Sequence, residues 1–74
     1  MYYLKVVATP TAINKQEAKV WYYGNRRHFT EEKPEKGWVK LFGYNSITGA
    51  RRGASAHQSN ELWDVSVFIE CIDV

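Results

Sequence analysis

The chain has 74 residues, of which 45% are hydrophobic and 15% aromatic, and its formal net charge is +2. This length predicts a single domain over residues 1–74, with the composition of a folded protein and not of a disordered tail. The one cysteine excludes an internal disulfide and favours a reducing, cytoplasmic location. No apolar run reaches the roughly 18–20 residues that cross a bilayer, so no membrane partner is expected.

Charge is distributed unevenly along the chain. All ten Lys and Arg residues precede Glu61 together with four acidic residues, a net charge of +6 for residues 1–60. Residues 61–74 hold four acidic residues and no basic one, a net charge of −4. A basic body favours an acidic protein surface or a nucleic acid as partner, and ordinary charge interspersion for solubility explains it equally well.

The first predicted element is a strand over Tyr2–Thr9, which is rich in β-branched and aromatic residues with rough alternation. Pro10 interrupts it, because proline fixes its own backbone and restricts the preceding residue. Residues 11–18 are compatible with helix, strand or loop, and the pattern does not separate the three.

The stretch from Lys19 to Glu32 predicts a hairpin with a two-residue turn at Gly24-Asn25. This turn places Tyr23 opposite Arg26, and directly opposed residues share a face of the sheet. The face with more aliphatic residues is assigned to the core: Ala18, Val20, Tyr22, Arg27 and Phe29. The other face is predicted to be an exposed aromatic and basic strip: Lys19, Trp21, Tyr23, Arg26, His28 and Thr30. A one-residue slip in the turn would exchange the two faces.

Three further elements follow a turn at Lys33–Gly37. Trp38–Tyr44 and Leu62–Asp73 read as strands, the second being the longest alternating stretch. Residues 46–59 sort on a helical wheel into a side of small residues and a polar side, which predicts a helix capped by Asn45 or Ser46.

The small-residue side of this helix holds two glycines, which are costly in a helix interior unless packing offsets them. We therefore expect Gly49 and Gly53 to let the helix lie close to a sheet rich in aromatic residues. Arg51 and Arg52 lie on the polar side about 100° apart, so they diverge and do not clamp one anion. The stretch GARRGAS lacks the spacing and the lysine of a phosphate-binding loop.

These elements predict an α+β fold with a small, mostly antiparallel sheet. The predicted order is β-β-β-β-α-β, with the helix at about 46–59 packed on one face. If the segment from Thr11 to Tyr23 is helical, the order becomes the ferredoxin-like βαββαβ.

The function predicted from this pattern is that of a non-enzymatic interaction module, an inhibitor or adaptor, that binds a partner protein through the exposed strip. Trp, Tyr and Arg dominate binding hot spots because they combine large area with a polar handle. The predicted partner-binding residues are Lys19, Trp21, Tyr23, Arg26 and His28. Secondary candidates are Tyr3, Lys5, Trp38, Lys40, Arg51 and Arg52.

Two alternatives stay open at this point. The same face could bind single-stranded DNA or RNA, although no RNP1-like motif occurs. It could also form a homodimer through the open sheet face. No catalytic residue, metal ligand or cofactor is predicted, because His28, His57 and Cys71 show no metal-binding or nucleophile–base spacing.

Overall fold

The computed structural model describes residues 1–73, which form a four-stranded antiparallel sheet and two short helices. The chain between the second and third strands makes a tight turn at Asn25–Arg27, in which Arg26 is not helical. In chain order the elements are β1 (Tyr2–Pro10), β2 (Lys19–Tyr23), β3 (Phe29–Thr30), α1 (Lys36–Phe42), α2 (Ile47–Ala54) and β4 (Trp63–Cys71). The strand order in the sheet is β3-β2-β1-β4, so β1 is central and β4 forms one edge.

Strand β1 fixes the register of its two neighbours. Leu4 lies opposite Tyr23 on β2 and Ile69 on β4, and Val6 lies opposite Trp21 and Val67. Because opposed residues share a face, these side chains all project to the side of the sheet that carries α2.

The core lies between this face and α2. Leu4 and Ala50 are fully buried and Val6 is nearly so. Partly buried apolar residues surround them: Tyr2, Tyr23, Tyr44, Ala54, Val65, Val67 and Ile69. The N-terminal strand and the alternating C-terminal strand thus pack against the helix as their patterns predict.

Helix α2 begins where the sequence predicts and ends earlier. The Ser46 hydroxyl accepts a hydrogen bond from the Gly49 amide (3.1 Å), which confirms the predicted N-cap. The helix ends at Ala54, where residue 59 was expected. Ser55 donates its hydroxyl to the Arg52 carbonyl (2.7 Å) at this end, and Ser59 leaves the helical path because its hydroxyl binds the backbone of β4.

The strand predicted over Trp38–Tyr44 is wrong, because this stretch forms helix α1. Val39 is fully buried while Leu41 is 76% exposed. Trp38 and Phe42, four residues apart, contact each other with ring centroids 5.4 Å apart. The apolar residues therefore follow a helical period, which a seven-residue stretch does not distinguish from alternation.

The predicted two-residue turn is also wrong. Residues 24–28 connect the strands, and Tyr23 lies opposite Phe29 where Arg26 was expected. The left-handed backbone is supplied by Arg26 and Arg27 (φ 56° and 63°), not by Gly24. Gly24 serves a different purpose: a Cβ there would overlap the Phe42 carbonyl and the Trp38 ring of α1.

The two faces of β2 are also exchanged relative to the prediction. Trp21 and Tyr23, expected to point away from the helix, share its side of the sheet and are half-buried. Val20, assigned to the core, is 40% exposed. Phe29 on β3 lies opposite Tyr23, and so on the helix-bearing side as predicted, but it is 61% exposed and not part of the core. The misassignment has a physical source, since the face of β2 is set by its register with Leu4 and Val6 and not by its own aliphatic content.

The predicted α+β class, with an antiparallel sheet and a helix packed on one face, is confirmed. The fourth strand of the predicted order is replaced by α1. Residues 11–18 contain turns and irregular backbone with no helix, so the ferredoxin-like alternative is not observed.

Candidate protein-binding groove

A groove runs along the helix-bearing side of the sheet, beside α2. The helix packs on β1 and β4. The segment after it, residues 55–60, contacts β2 through His57 and is hydrogen-bonded to β4 through Ser59 and Asn60. Ala8 lies between Lys19 and Val65 in the sheet, and its small side chain leaves depth at this position. The groove therefore exists because a small residue is flanked by large ones.

The first part of the groove, which we call the aromatic end, is a cavity of about 430 Å³. Its floor is formed by Val6, Ala8 and Val65, and its walls carry the indoles of Trp21 and Trp63. Both tryptophans are half-buried, which leaves part of each ring open to a ligand.

Lys19 organises the aromatic end. Its Nζ lies 5.9 Å from the ring centroid of Trp21 and 5.6 Å from that of Trp63. Both distances are within the range of a cation–π attraction, so the two indoles hold the ammonium between strands β2 and β4. The result is a positive charge beside an apolar floor.

The second part, the arginine end, is a cavity of about 840 Å³ between the 24–28 loop and the start of α2. Arg26 and Arg27 border it from the loop, and Arg52 borders it from the helix. All three side chains are exposed. Asn25 accepts a hydrogen bond from the Arg26 amide (2.9 Å) through its side chain, which braces the left-handed loop.

Tyr23 and His57 join the two ends, since both residues line both cavities. Their ring centroids are 4.4 Å apart. Burial lowers the pKa of His57 below its usual value, which favours the neutral imidazole at pH 7. The junction is therefore an uncharged aromatic contact between two basic ends.

The charge of the groove is one-sided. As far as residues 1–73 form its lining, the groove carries Lys19, Arg26, Arg27 and Arg52 and no aspartate or glutamate. Basic side chains that converge on a concavity without acidic neighbours attract an anionic ligand.

The groove brings together most of the predicted site residues. Lys19, Trp21, Tyr23 and Arg26 line it, whereas His28 stacks on Phe42 of α1 (centroids 4.4 Å apart) and lies outside it. The strip was predicted on a face pointing away from the helix, and four of its six members instead line a recess beside the helix.

Of the secondary candidates, only Arg52 lines the groove. Tyr3 and Lys5 project to the opposite face, where Tyr3 is 95% buried and its pKa is raised by burial and by the nearby Glu70 and Tyr22. The other three lie elsewhere: Trp38 and Lys40 on α1, and Arg51 on α2.

Sequence reasoning missed Trp63, Arg27 and His57 as groove residues. Trp63 could have been found, because alternation along β4 places it on the same face as Val65. Arg27 could not, because its place depends on the unforeseen length of the loop.

Two further observations concern residues 1–73. No group of three or more His, Cys, Asp or Glu side chains is arranged to hold a metal ion within this range. None of the helices in this range is long and apolar enough to cross a membrane.

Comparisons with known proteins give no relative for this chain. No family model, curated protein or solved structure matches it.

Proposed function

We propose that this chain is a non-enzymatic binding module that holds an acidic, extended segment of a partner protein in the groove. The observation that carries the proposal is the continuity of the two cavities through Tyr23 and His57, with four basic side chains and no acidic one along the lining within residues 1–73. An inhibitor or an adaptor could act in this way by covering its partner's surface.

Each end of the groove suits a different part of such a ligand. The aliphatic floor of Val6, Ala8 and Val65 offers a site for an apolar side chain, which does not need the indole faces over which Lys19 lies. Arginines pair with carboxylates in a two-pronged geometry that lysine does not provide, so Arg26, Arg27 and Arg52 suit aspartate and glutamate. An acidic segment with one apolar anchor matches both.

Single-stranded nucleic acid is the competing ligand, favoured by the arginine end. Proteins that bind single strands stack bases on open aromatic faces. Here Lys19 lies over the rings of both Trp21 and Trp63, so a base would have to displace the ammonium from two cation–π contacts. This arrangement favours the peptide.

A reducing compartment, the cytoplasm, is part of the proposal. Cys71 is a free and exposed thiol. Such thiols persist where glutathione and thioredoxin keep them reduced.

The test is a tryptophan-fluorescence titration with three probes at low and at physiological salt. The probes are a short peptide in which Glu alternates with Leu, the same peptide with Lys for Glu, and random single-stranded DNA. We expect the acidic peptide to change the emission saturably at both salt concentrations, and the basic peptide to have no effect.

The opposite outcomes are equally clear. Binding of DNA alone, with an affinity that falls log-linearly with salt as counterions are released, would assign the groove to nucleic acid. Equal responses to the acidic and basic peptides would remove the charge argument altogether.

A further inference from the structure

Strand β4 is the long edge of the sheet, and its outward-facing backbone groups divide into a covered half and an open half. In an antiparallel ladder, alternate residues of a strand bond to one neighbour while those between them point the other way. The Leu62 carbonyl accepts from the Thr11 amide (3.1 Å), and Ile72 exchanges bonds with Met1 at 2.9 and 3.1 Å. The backbone N–H and C=O groups of the even-numbered residues therefore point towards β1, and those of the odd-numbered residues point away from the sheet.

The loop before β4 covers the first outward-facing residues. Asn60 bonds the amide of Trp63 through its side chain and the carbonyl of Trp63 through its own amide, each at 2.9 Å. The Ser59 hydroxyl accepts from the Val65 amide (2.8 Å) and donates to the Val65 carbonyl (3.4 Å). This loop occupies the positions that a neighbouring strand would take.

The loop formed by Ser59 and Asn60 covers the edge of β4 only as far as Val65. The next outward-facing residues are Val67, Ile69 and Cys71, and no strand or loop within residues 1–73 lies beyond them in the sheet. They offer three amides and three carbonyls in strand geometry, beside the half-exposed ring of Phe68. Edges of this kind pair with another strand unless the protein blocks them, and here only the first half is blocked.

We propose that a second copy of this chain pairs antiparallel with this open edge, so that the two sheets become one eight-stranded sheet. In the two-fold register centred on Ile69, Val67 lies opposite Cys71 of the second copy and Ile69 lies opposite itself. The outward-pointing N–H and C=O groups of all three open residues in each copy are then hydrogen-bonded to the other copy. On the helix-bearing side, the side chain of Val67 meets that of Cys71, and the two Ile69 side chains meet each other.

The neighbouring registers are disfavoured by the same residues. A shift centred on Phe68 sets Cys71 against Val65, whose edge groups Ser59 already occupies. The opposite shift sets Glu70 against Glu70, and directly opposed like charges destabilise a sheet. In the register centred on Ile69, Glu70 lies opposite Phe68, whose other neighbour is Lys5 on β1.

This dimer differs from one through the open sheet face and is independent of the proposed groove. The β4 residues that line the groove are Trp63 and Val65, under the covering loop, so both grooves stay accessible when the open edges pair.

The first test uses the unaltered chain. Sedimentation equilibrium up to about 1 mM, the weak end of measurable association, should show a shift from one to two copies. Amide exchange followed over the same range should slow at least tenfold at Val67, Ile69 and Cys71, and stay unchanged at Trp63 and Val65. A constant monomer mass with fast exchange of these three amides throughout would overturn the proposal.

The register is tested by a matched pair of substitutions, Val67→Cys and Val65→Cys, both in the presence of the native Cys71. Opposed residues in a bonded pair have Cα atoms about 5.5 Å apart, which suits a disulfide. Under mild oxidation we expect Val67→Cys to give a covalent dimer at least ten times faster than Val65→Cys. The advantage should vanish when Cys71→Ser is added, and faster cross-linking of Val65→Cys would overturn this register.

Discussion

Tyr23 on β2 and His57 after α2 meet with ring centroids 4.4 Å apart. This contact fixes the chain that leaves α2 over β2, whereas the helix itself packs mainly on β1 and β4. It also forms the junction between the aromatic and arginine ends of the groove. The packing of the tail of α2 and the continuity of the groove therefore depend on the same pair of rings.

The first prediction follows from the burial of His57. Burial lowers the pKa of the folded imidazole below its ordinary value, so the unfolded chain binds a proton more readily. The stability contributed by neutral His57 is complete above pH about 6.5 and is lost as the pH falls from there towards the folded pKa. Urea denaturation at pH 7.5 and 5.5 should show lower stability at the acidic pH, with a smaller difference in His57→Gln.

The matched control for this prediction is His28→Gln, since His28 is exposed. It should keep the pH dependence of the unaltered chain. If instead His28→Gln flattens the pH dependence and His57→Gln does not, the burial of His57 is not its source.

The second prediction concerns two glycines in helices. A Cβ at Gly53 would overlap the hydroxyl and ring of Tyr44, whereas a Cβ at Gly37 would meet nothing within 4 Å. Gly53→Ala gains about 1 kcal/mol of helix propensity but incurs an overpacking cost of roughly 1–3 kcal/mol, so we expect net destabilisation. Gly37→Ala should raise stability by up to about 1 kcal/mol.

Thermal denaturation of these two variants measures both effects. A gain in stability for Gly53→Ala would mean that Tyr44 moves aside without cost and that the glycine is not needed for the close approach.

The third prediction tests the ammonium held between the indoles. Lys19→Gln removes the positive charge from the aromatic end. Lys19 is exposed, and the loss of a surface ion pair worth up to about 1 kcal/mol corresponds to an affinity for the acidic peptide up to roughly fivefold weaker. Lys15→Gln is the matched control, because Lys15 is exposed and does not line the groove. Equal losses of affinity for the two variants would mean that the peptide responds to the net charge of the protein and not to the position of Lys19.

Much of the fold could be predicted because strong local patterns agree with the packing. The apolar alternation in β4 and the small side of α2 correspond to the buried faces, and Ser46 caps the helix as its position predicts. Gly53 fulfils the expected role of letting the helix approach an aromatic ring, although that ring belongs to Tyr44 before the helix and not to a sheet strand.

The rest depends on contacts between distant residues. In the sequence, Gly24 resembles the glycine of a tight hairpin, yet its backbone is not left-handed. A glycine is required there because α1 lies against it and leaves no room for a Cβ. The face of β2 likewise follows from pairing with Leu4 and Val6. The composition of the site was therefore predictable in large part, but its position beside the helix was not.

The groove as a binding site for an acidic segment is tested most directly by calorimetric titration of the Glu-Leu peptide into two adjacent charge reversals, Arg52→Glu and Arg51→Glu. Both residues are exposed on α2, both changes alter the net charge equally, and only Arg52 lines the groove. We predict at least a tenfold loss of affinity for Arg52→Glu, about 1.4 kcal/mol, and less than a threefold loss for Arg51→Glu. Equal losses for the two variants, or an unchanged affinity in Arg52→Glu, would contradict the assignment of the groove.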